Sequence, residues 1–71
     1  MGDQGKADEF KDAGNKLYKE KKFDEAIEQY DKAIAAEPND FTYYNNKCAV
    51  LLEQEKYAEC EQILKDILKR G

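Results

Sequence analysis

Residues 7–40 read ADEFKDAGNKLYKEKKFDEAIEQYDKAIAAEPND and contain two stripes of apolar or small residues at α-helical spacing. The first stripe consists of Phe10, Ala13, Gly14 and Leu17, and the second of Phe23, Ala26, Ile27, Tyr30, Ala33 and Ile34. Pro38 ends the second stripe, because the residue before a proline is pushed out of helical geometry. The pattern predicts a helical hairpin whose apolar side needs a further neighbour.

Residues 41–71 repeat this arrangement. A shift of about 34 residues brings Phe10 onto Tyr44 and Leu17 onto Leu51, and each pair keeps its apolar character. The sequence therefore predicts an all-α fold of four antiparallel helices, at residues 7–20, 23–36, 41–54 and 57–69.

The repeated pattern resembles the tetratricopeptide repeat family, whose helix-turn-helix units stack into an α-solenoid. The residues that carry the resemblance match the size class of the family; they are Phe10, Ala13, Gly14, Leu17, Ala26, Tyr30, Ala33 and Pro38. It implies repeat one at residues 7–40 and a truncated repeat two, without a capping helix, at residues 41–71. Residues 1–6 are expected to form a disordered tail.

Charge and hydropathy restrict the classes of partner. The chain of 71 residues has 12 basic and 16 acidic side chains and a net charge of −4, which argues against nucleic acid as a partner. No apolar run is long enough to span a bilayer, and Met1–Lys6 does not resemble a secretory signal. We therefore expect a cytoplasmic protein without a membrane partner.

The residue inventory also argues against catalysis. The sequence contains no histidine, the usual general base and metal ligand, and it has no glycine-rich phosphate loop. The acidic pair Asp24-Glu25 lies at a helix start, where negative charge favours the helix dipole. The sequence predicts a protein that is not an enzyme, with no cofactor and no metal.

Two cysteines align with the small residues of the first hairpin. Cys48 takes the place of Gly14 and Cys60 that of Ala26, so they should face each other between the third and fourth helices. We expect them to be reduced and to act as small buried hydrophobes, because cytosolic thiols stay reduced. The alternative is a regulatory disulfide, which requires Cα atoms within about 7 Å.

Polar residues away from the apolar stripes indicate a binding surface. Lys11 and Asn15 lie four positions apart on one face of the first helix, with Tyr18 further along, and Asn46 lies on the third helix. In stacked hairpins of this kind, the first helix of each pair lines the concave surface. Lys11, Asn15 and Asn46 are therefore expected to converge on one groove, where a cation and two amides suit a carboxylate.

This set resembles the carboxylate clamp of Hop/stress-inducible-type co-chaperones. The resemblance implies binding of the C-terminal Glu-Glu-Val-Asp peptide of cytosolic heat-shock chaperones, with Tyr18 beside the peptide. In that family a third repeat adds a further Lys and Arg, so we expect only a partial clamp here. The alternative function is a tetratricopeptide scaffold, or a self-associating fragment that forms a homodimer through the apolar face of its last helix.

Overall fold

The computed structural model describes residues 3–70, which form four α-helices and no strand. These are α1 (Gln4–Lys19), α2 (Phe23–Ala36), α3 (Thr42–Glu53) and α4 (Tyr57–Arg70). They pack in chain order, α1 on α2, α2 on α3 and α3 on α4. The backbone measures 32 × 27 × 12 Å, so the molecule is flat. The predicted all-α architecture of two helical hairpins is confirmed.

Helix α1 begins three residues earlier than predicted. The side chain of Asp3 accepts a hydrogen bond from the backbone N–H of Lys6 at 3.0 Å and caps the helix. The backbone N–H of Asp3 donates to the carbonyl of Ala36 at 2.8 Å, which holds this end against α2. The prediction of a disordered tail is therefore wrong for residues 3–6, and residues 1 and 2 lie outside the described part of the chain.

The two hairpins turn through the same backbone geometry. Lys21 and Glu55, which are 34 positions apart, have positive φ angles of 62° and 61°. After each of them, the next backbone N–H donates back to the last turn of the helix, to the carbonyl of Leu17 at 2.9 Å or of Leu51 at 2.8 Å. A left-handed residue with this back-bond is a Schellman helix end. The 34-residue period read from side chains is thus present in the backbone.

Small residues permit close approach of the helices in the first hairpin. A Cβ atom at Gly14 would lie 2.6 Å from Cε1 of Tyr30, so the Tyr30 ring rests directly on the backbone of α1. Ala26 is fully buried on α2. Within residues 3–69, the buried hydrophobic residues are Ala7, Ala26, Tyr30, Ala33, Tyr43, Cys48, Val50, Leu51 and Cys60.

The second hairpin contains a covalent link. Cys48 on α3 and Cys60 on α4 form a disulfide, with Cα atoms 4.9 Å apart. Both are buried beside Leu51, and Ile27 and Ile63 cover the cluster. The prediction of two reduced thiols is therefore wrong for this structure. The disulfide thus joins the two positions that correspond to Gly14 and Ala26 of the first hairpin.

Within residues 3–70, helix α4 packs mainly against one other helix. It packs on α3, while Leu64 and Leu68 remain 45% and 78% exposed. No helix within residues 3–70 has the length and hydropathy needed to cross a membrane.

Candidate functional site

Helices α1 and α3 both pack on α2 and lie side by side. We call the line between α1 and α3 the seam, and side-chain hydrogen bonds cross it at each end. At one end the Tyr43 hydroxyl donates to Asp8 Oδ1 at 3.1 Å. At the other end the Tyr18 hydroxyl donates to Glu53 Oε1 at 3.3 Å. Each bridge joins residues 35 positions apart. The two helices therefore run parallel, in a constant register.

This register determines where the predicted site residues lie. With an offset of 35 positions, Asn46 on α3 lies opposite Lys11 on α1, and Asn15 follows one turn later on α1. All three side chains are half-buried. In the part of the chain that the structure describes, no hydrogen bond joins any two of them. They share one seam, and their binding of a ligand stays a prediction.

The cationic member of the set lies near acidic side chains. Lys11 Nζ is 3.8 Å from Asp8 Oδ1, and the Lys11 side chain is 31% exposed. The pKa of Asp40 is lowered, first because its carboxylate accepts from the backbone N–H of Thr42, and to a smaller extent by the charge of Lys11. This end of the seam thus has a partly compensated ammonium group that still reaches solvent.

A hydroxyl on the core side orients the amide of Asn15. Its Oδ1 accepts a hydrogen bond from the hydroxyl of Tyr30, which is 1% exposed. No group within residues 3–70 accepts from Asn15 Nδ2, and this nitrogen is not among the buried atoms that lack a partner. Because an Nδ2 group carries two donors, Asn15 presents unused N–H groups to solvent.

The side chain of Tyr18 mainly packs against neighbouring apolar residues. Its ring centroid lies 5.8 Å from that of Phe23, and the ring covers the buried cluster of Ala26, Tyr30 and Val50. Burial, followed by the charge of Glu53, raises the pKa of Tyr18, so its hydroxyl remains a donor. The structure shows packing and a hydrogen bond across the seam, and the contact with a ligand stays a prediction.

A polar network closes the end of the seam that lies next to Lys11, away from Tyr18. Tyr43 is buried and accepts a hydrogen bond from Gln4 Nε2 while it donates to Asp8. Burial and the adjacent Asp8 carboxylate raise the pKa of Tyr43 to about 12. The hydroxyl is therefore protonated at neutral pH, and it anchors α3 to the first turns of α1.

Helix α3 is also fixed to α2 by polar contacts on its other side. Lys47 Nζ lies 2.7 Å from Asp31 Oδ1, and Gln54 Nε2 donates to Asp24 at 2.8 Å. Beyond these contacts, between α2 and α4, lies an open depression of about 470 Å³ that contains none of the predicted site residues. No group of three potential metal-ligating residues occurs within residues 3–70.

Sequence reasoning missed the residues that support the seam. Tyr30 belongs to an apolar stripe, which predicts a core residue, and Asp8 and Glu53 look like solvated surface charges in the sequence. The available signal was Gly14 next to Asn15: a glycine that admits a tyrosine ring also brings the hydroxyl of that ring to the neighbouring side chain.

Comparison with known proteins agrees with the helical-repeat fold. A family model described as TPR repeat matches residues 14–58, which is more than half of the chain. The chain belongs to the tetratricopeptide repeat family. A comparison with solved structures gives no significant match.

Three relatives show which kind of tetratricopeptide repeat protein the chain is similar to. Stress-induced-phosphoprotein 1 of Caenorhabditis elegans is 48% identical over 61 residues, covering 86% of this chain and 19% of the relative. Hsp70-Hsp90 organising protein of Plasmodium falciparum is 49% identical over 55 residues, covering 78% of this chain and 10% of the relative. Heat shock protein STI1 of Saccharomyces cerevisiae is 43% identical over 65 residues, covering 92% of this chain and 11% of the relative.

These relatives confirm the predicted resemblance to Hop/stress-inducible-type co-chaperones. The chain spans only 10% to 19% of the length of the three relatives. It therefore corresponds to one small helical repeat region within proteins of that type.

Proposed function

We propose that this chain is a non-enzymatic protein–protein interaction module of co-chaperone type that binds the acidic C-terminal peptide of a heat-shock chaperone. The peptide's terminal carboxylate occupies the seam between α1 and α3 as a partial clamp. Lys11 supplies the charge, Asn15 and Asn46 supply amide donors, and Tyr18 lies beside the peptide. The names of the relatives, which include Hsp70-Hsp90 organising proteins, support the choice of partner.

The observation that carries the proposal is the solvent-facing Nδ2 group of Asn15 in the seam shared with Lys11 and Asn46. A carboxylate has two oxygens, each able to accept more than one hydrogen bond. Amide donors give these bonds direction, and an ammonium group adds charge. The seam thus provides donors and positive charge at a place where α1 and α3 are held in register by two tyrosine bridges.

The small number of contacts that the seam offers predicts weak binding. A hydrogen bond to a charged group contributes about 1.5–3 kcal/mol, and three partly exposed contacts must also offset the loss of translational freedom. We expect a dissociation constant of roughly 1 mM, near −4 kcal/mol. A cytoplasmic location is part of this proposal, because the proposed partners are cytosolic chaperones.

The test is an NMR titration of the labelled protein with a peptide ending in Glu-Glu-Val-Asp and with the same peptide amidated at its C-terminus. We expect shifts at seam residues with the free acid and at least tenfold weaker binding of the amide. Lys11→Met should weaken binding of the acid by about tenfold, because one charge-assisted contact is lost.

Lys65→Met is the matched control. Lys65 lies on α4 and, like Lys11, has an acidic neighbour on its own helix, with Nζ 3.2 Å from Glu61. Its replacement should leave the titration unchanged. Equal binding of acid and amide, or equal effects of the two lysine replacements, would contradict the proposal.

A second candidate function is self-association through α4. The exposure of Leu64 and Leu68, at 45% and 78%, favours it, because clustered exposed leucines promote association. A homodimer would cover these residues, and Leu68→Lys should then return the protein to a monomer. Sedimentation that gives a monomer for the unmodified chain at high concentration would exclude this function.

A further inference from the structure

Tyr30 is almost fully buried, yet its hydroxyl reaches the seam. The side chain is 1% exposed, and its ring packs between α1 and α2 beside Ala26 and Val50. Its hydroxyl donates to Oδ1 of Asn15. Burial, and after it the neighbouring Tyr18, raises the pKa of Tyr30. The phenol therefore remains protonated near neutral pH. Asn15 Oδ1 is the only acceptor for its proton within residues 3–70, so the hydroxyl acts as a donor towards Asn15.

Gly14 determines where this hydroxyl lies. A Cβ atom on Gly14 would come within 2.6–2.9 Å of three atoms of the Tyr30 ring. The ring can therefore rest on the α1 backbone only because residue 14 has no side chain. Asn15 follows directly in the same turn, so the arrangement that seats the ring also places the hydroxyl against the amide.

The consequence concerns which end of the Asn15 amide faces the ligand. A carboxamide has an acceptor end and a donor end of nearly equal size, and its last torsion has two comparable orientations. The hydrogen bond from Tyr30 occupies the acceptor end. Only the donor end is then left for the seam.

We propose that Tyr30 is a positioning residue that holds Asn15 with its N–H groups outward, so that the seam selects ligands ending in a carboxylate over ligands ending in a carboxamide. This inference rests on the proposed function and assigns part of its specificity. Without the hydroxyl, the amide would sample both orientations, and about half of the molecules would present an acceptor. Affinity falls in proportion to the competent fraction, so a loss of about two- to fivefold is expected, including the effect of added mobility.

The first measurement needs no ligand. In Tyr30→Phe the heteronuclear NOE of the Asn15 side-chain NH₂ group should fall, while that of Asn46 stays constant. The matched control is Tyr43→Phe, since Tyr43 is equally buried, at 1% exposure, but bonds to Asp8 and Gln4. An Asn15 signal equally ordered in the wild type and in Tyr30→Phe would overturn the proposal, even if the peptide binds as expected.

The second measurement compares peptides that end in a free acid and in an amide. Tyr30→Phe should weaken binding of the free-acid peptide by about two- to fivefold and leave binding of the amidated peptide nearly unchanged. The ratio of the two affinities should therefore fall. In an Asn15→Ala background the same replacement should have no further effect. If Tyr30 had a purely structural role, Tyr30→Phe would weaken binding of both peptides equally and would still do so in the Asn15→Ala background. Either result would overturn the assignment.

The two measurements separate this inference from the proposed function. If the wild-type chain binds neither peptide, the proposed function fails, and the selection of carboxylates fails with it. The order of the Asn15 amide in the free protein would then still show whether Tyr30 holds it.

Discussion

Reduction of the Cys48–Cys60 disulfide is expected to destabilise the fold substantially. The two cysteines are separated by 12 positions, and closing a loop of this size in the unfolded chain contributes about 3 kcal/mol in the chain-entropy description. A domain of 71 residues has a free energy of unfolding of roughly 4–11 kcal/mol. The disulfide thus accounts for a considerable fraction of the total stability.

The loss should be greatest at the C-terminal end. Helix α4 packs on α3, and the disulfide links these two helices at a buried point. After reduction, α4 keeps the apolar contacts of the cluster around Leu51 and Ile63 but loses its covalent attachment. We expect the amide protons of α4 to exchange faster than those of α1 and α2.

The assay is thermal unfolding followed by circular dichroism, with and without a phosphine reductant. At about 4–8 °C per kcal/mol for a domain of this size, the midpoint should fall by more than about 10 °C. The control is the double variant Cys48→Ala, Cys60→Ala, whose midpoint should not respond to the reductant. If mass spectrometry shows full reduction and the midpoint is unchanged, the reasoning is refuted.

Two further predictions concern glycine packing and alkaline pH. Gly14→Ala should lower the free energy of unfolding by about 1–3 kcal/mol, because the new Cβ would overlap the Tyr30 ring. At Gly5 a Cβ would have only Asp3 Oδ1 nearby, at 3.7 Å, so Gly5→Ala should raise the free energy of unfolding by about 0.5–1 kcal/mol. Urea titrations of both variants test this, and equal effects would contradict it. Because burial and Asp8 raise the pKa of Tyr43 from 10.0 to about 12, its contribution to stability is complete below pH 10 and is lost as the pH rises to about 12. Urea midpoints measured across this range should decline, and the decline should be smaller in Tyr43→Phe; the same decline in both proteins would exclude Tyr43 as the cause.

The sequence predicted the architecture because the fold depends on repeated local patterns. The stripes at Leu17 and Leu51 recur at one period, and the structure shows the same period in the turns at Lys21 and Glu55. The apolar pattern predicts too late a start for α1, because residues 4–6 contribute nothing to the apolar stripe. The available signal was Asp3, a residue type that favours the N-cap position and caps α1 in the structure.

The relative positions of the candidate site residues were predictable, whereas their role in binding stays a prediction. The spacing of Lys11 and Asn15 predicted a shared face of α1, and the register of α1 and α3 places Asn46 opposite Lys11. The orientation of the Asn15 amide was not predictable, because it depends on a hydroxyl from Tyr30 on another helix. The sequence leaves the disulfide open for a similar reason, because alignment places Cys48 and Cys60 on facing helices but does not determine the distance between them.

The packing of the helices in chain order has a kinetic consequence. Each helix finds its main partner in the next helix of the chain, so the search during folding closes only short loops. Chains of such low contact order fold within microseconds to milliseconds, and folding of a linear array can start at any unit and spread to its neighbours. Either hairpin can therefore serve as the nucleus, and a change that weakens one should redirect the route of folding towards the other.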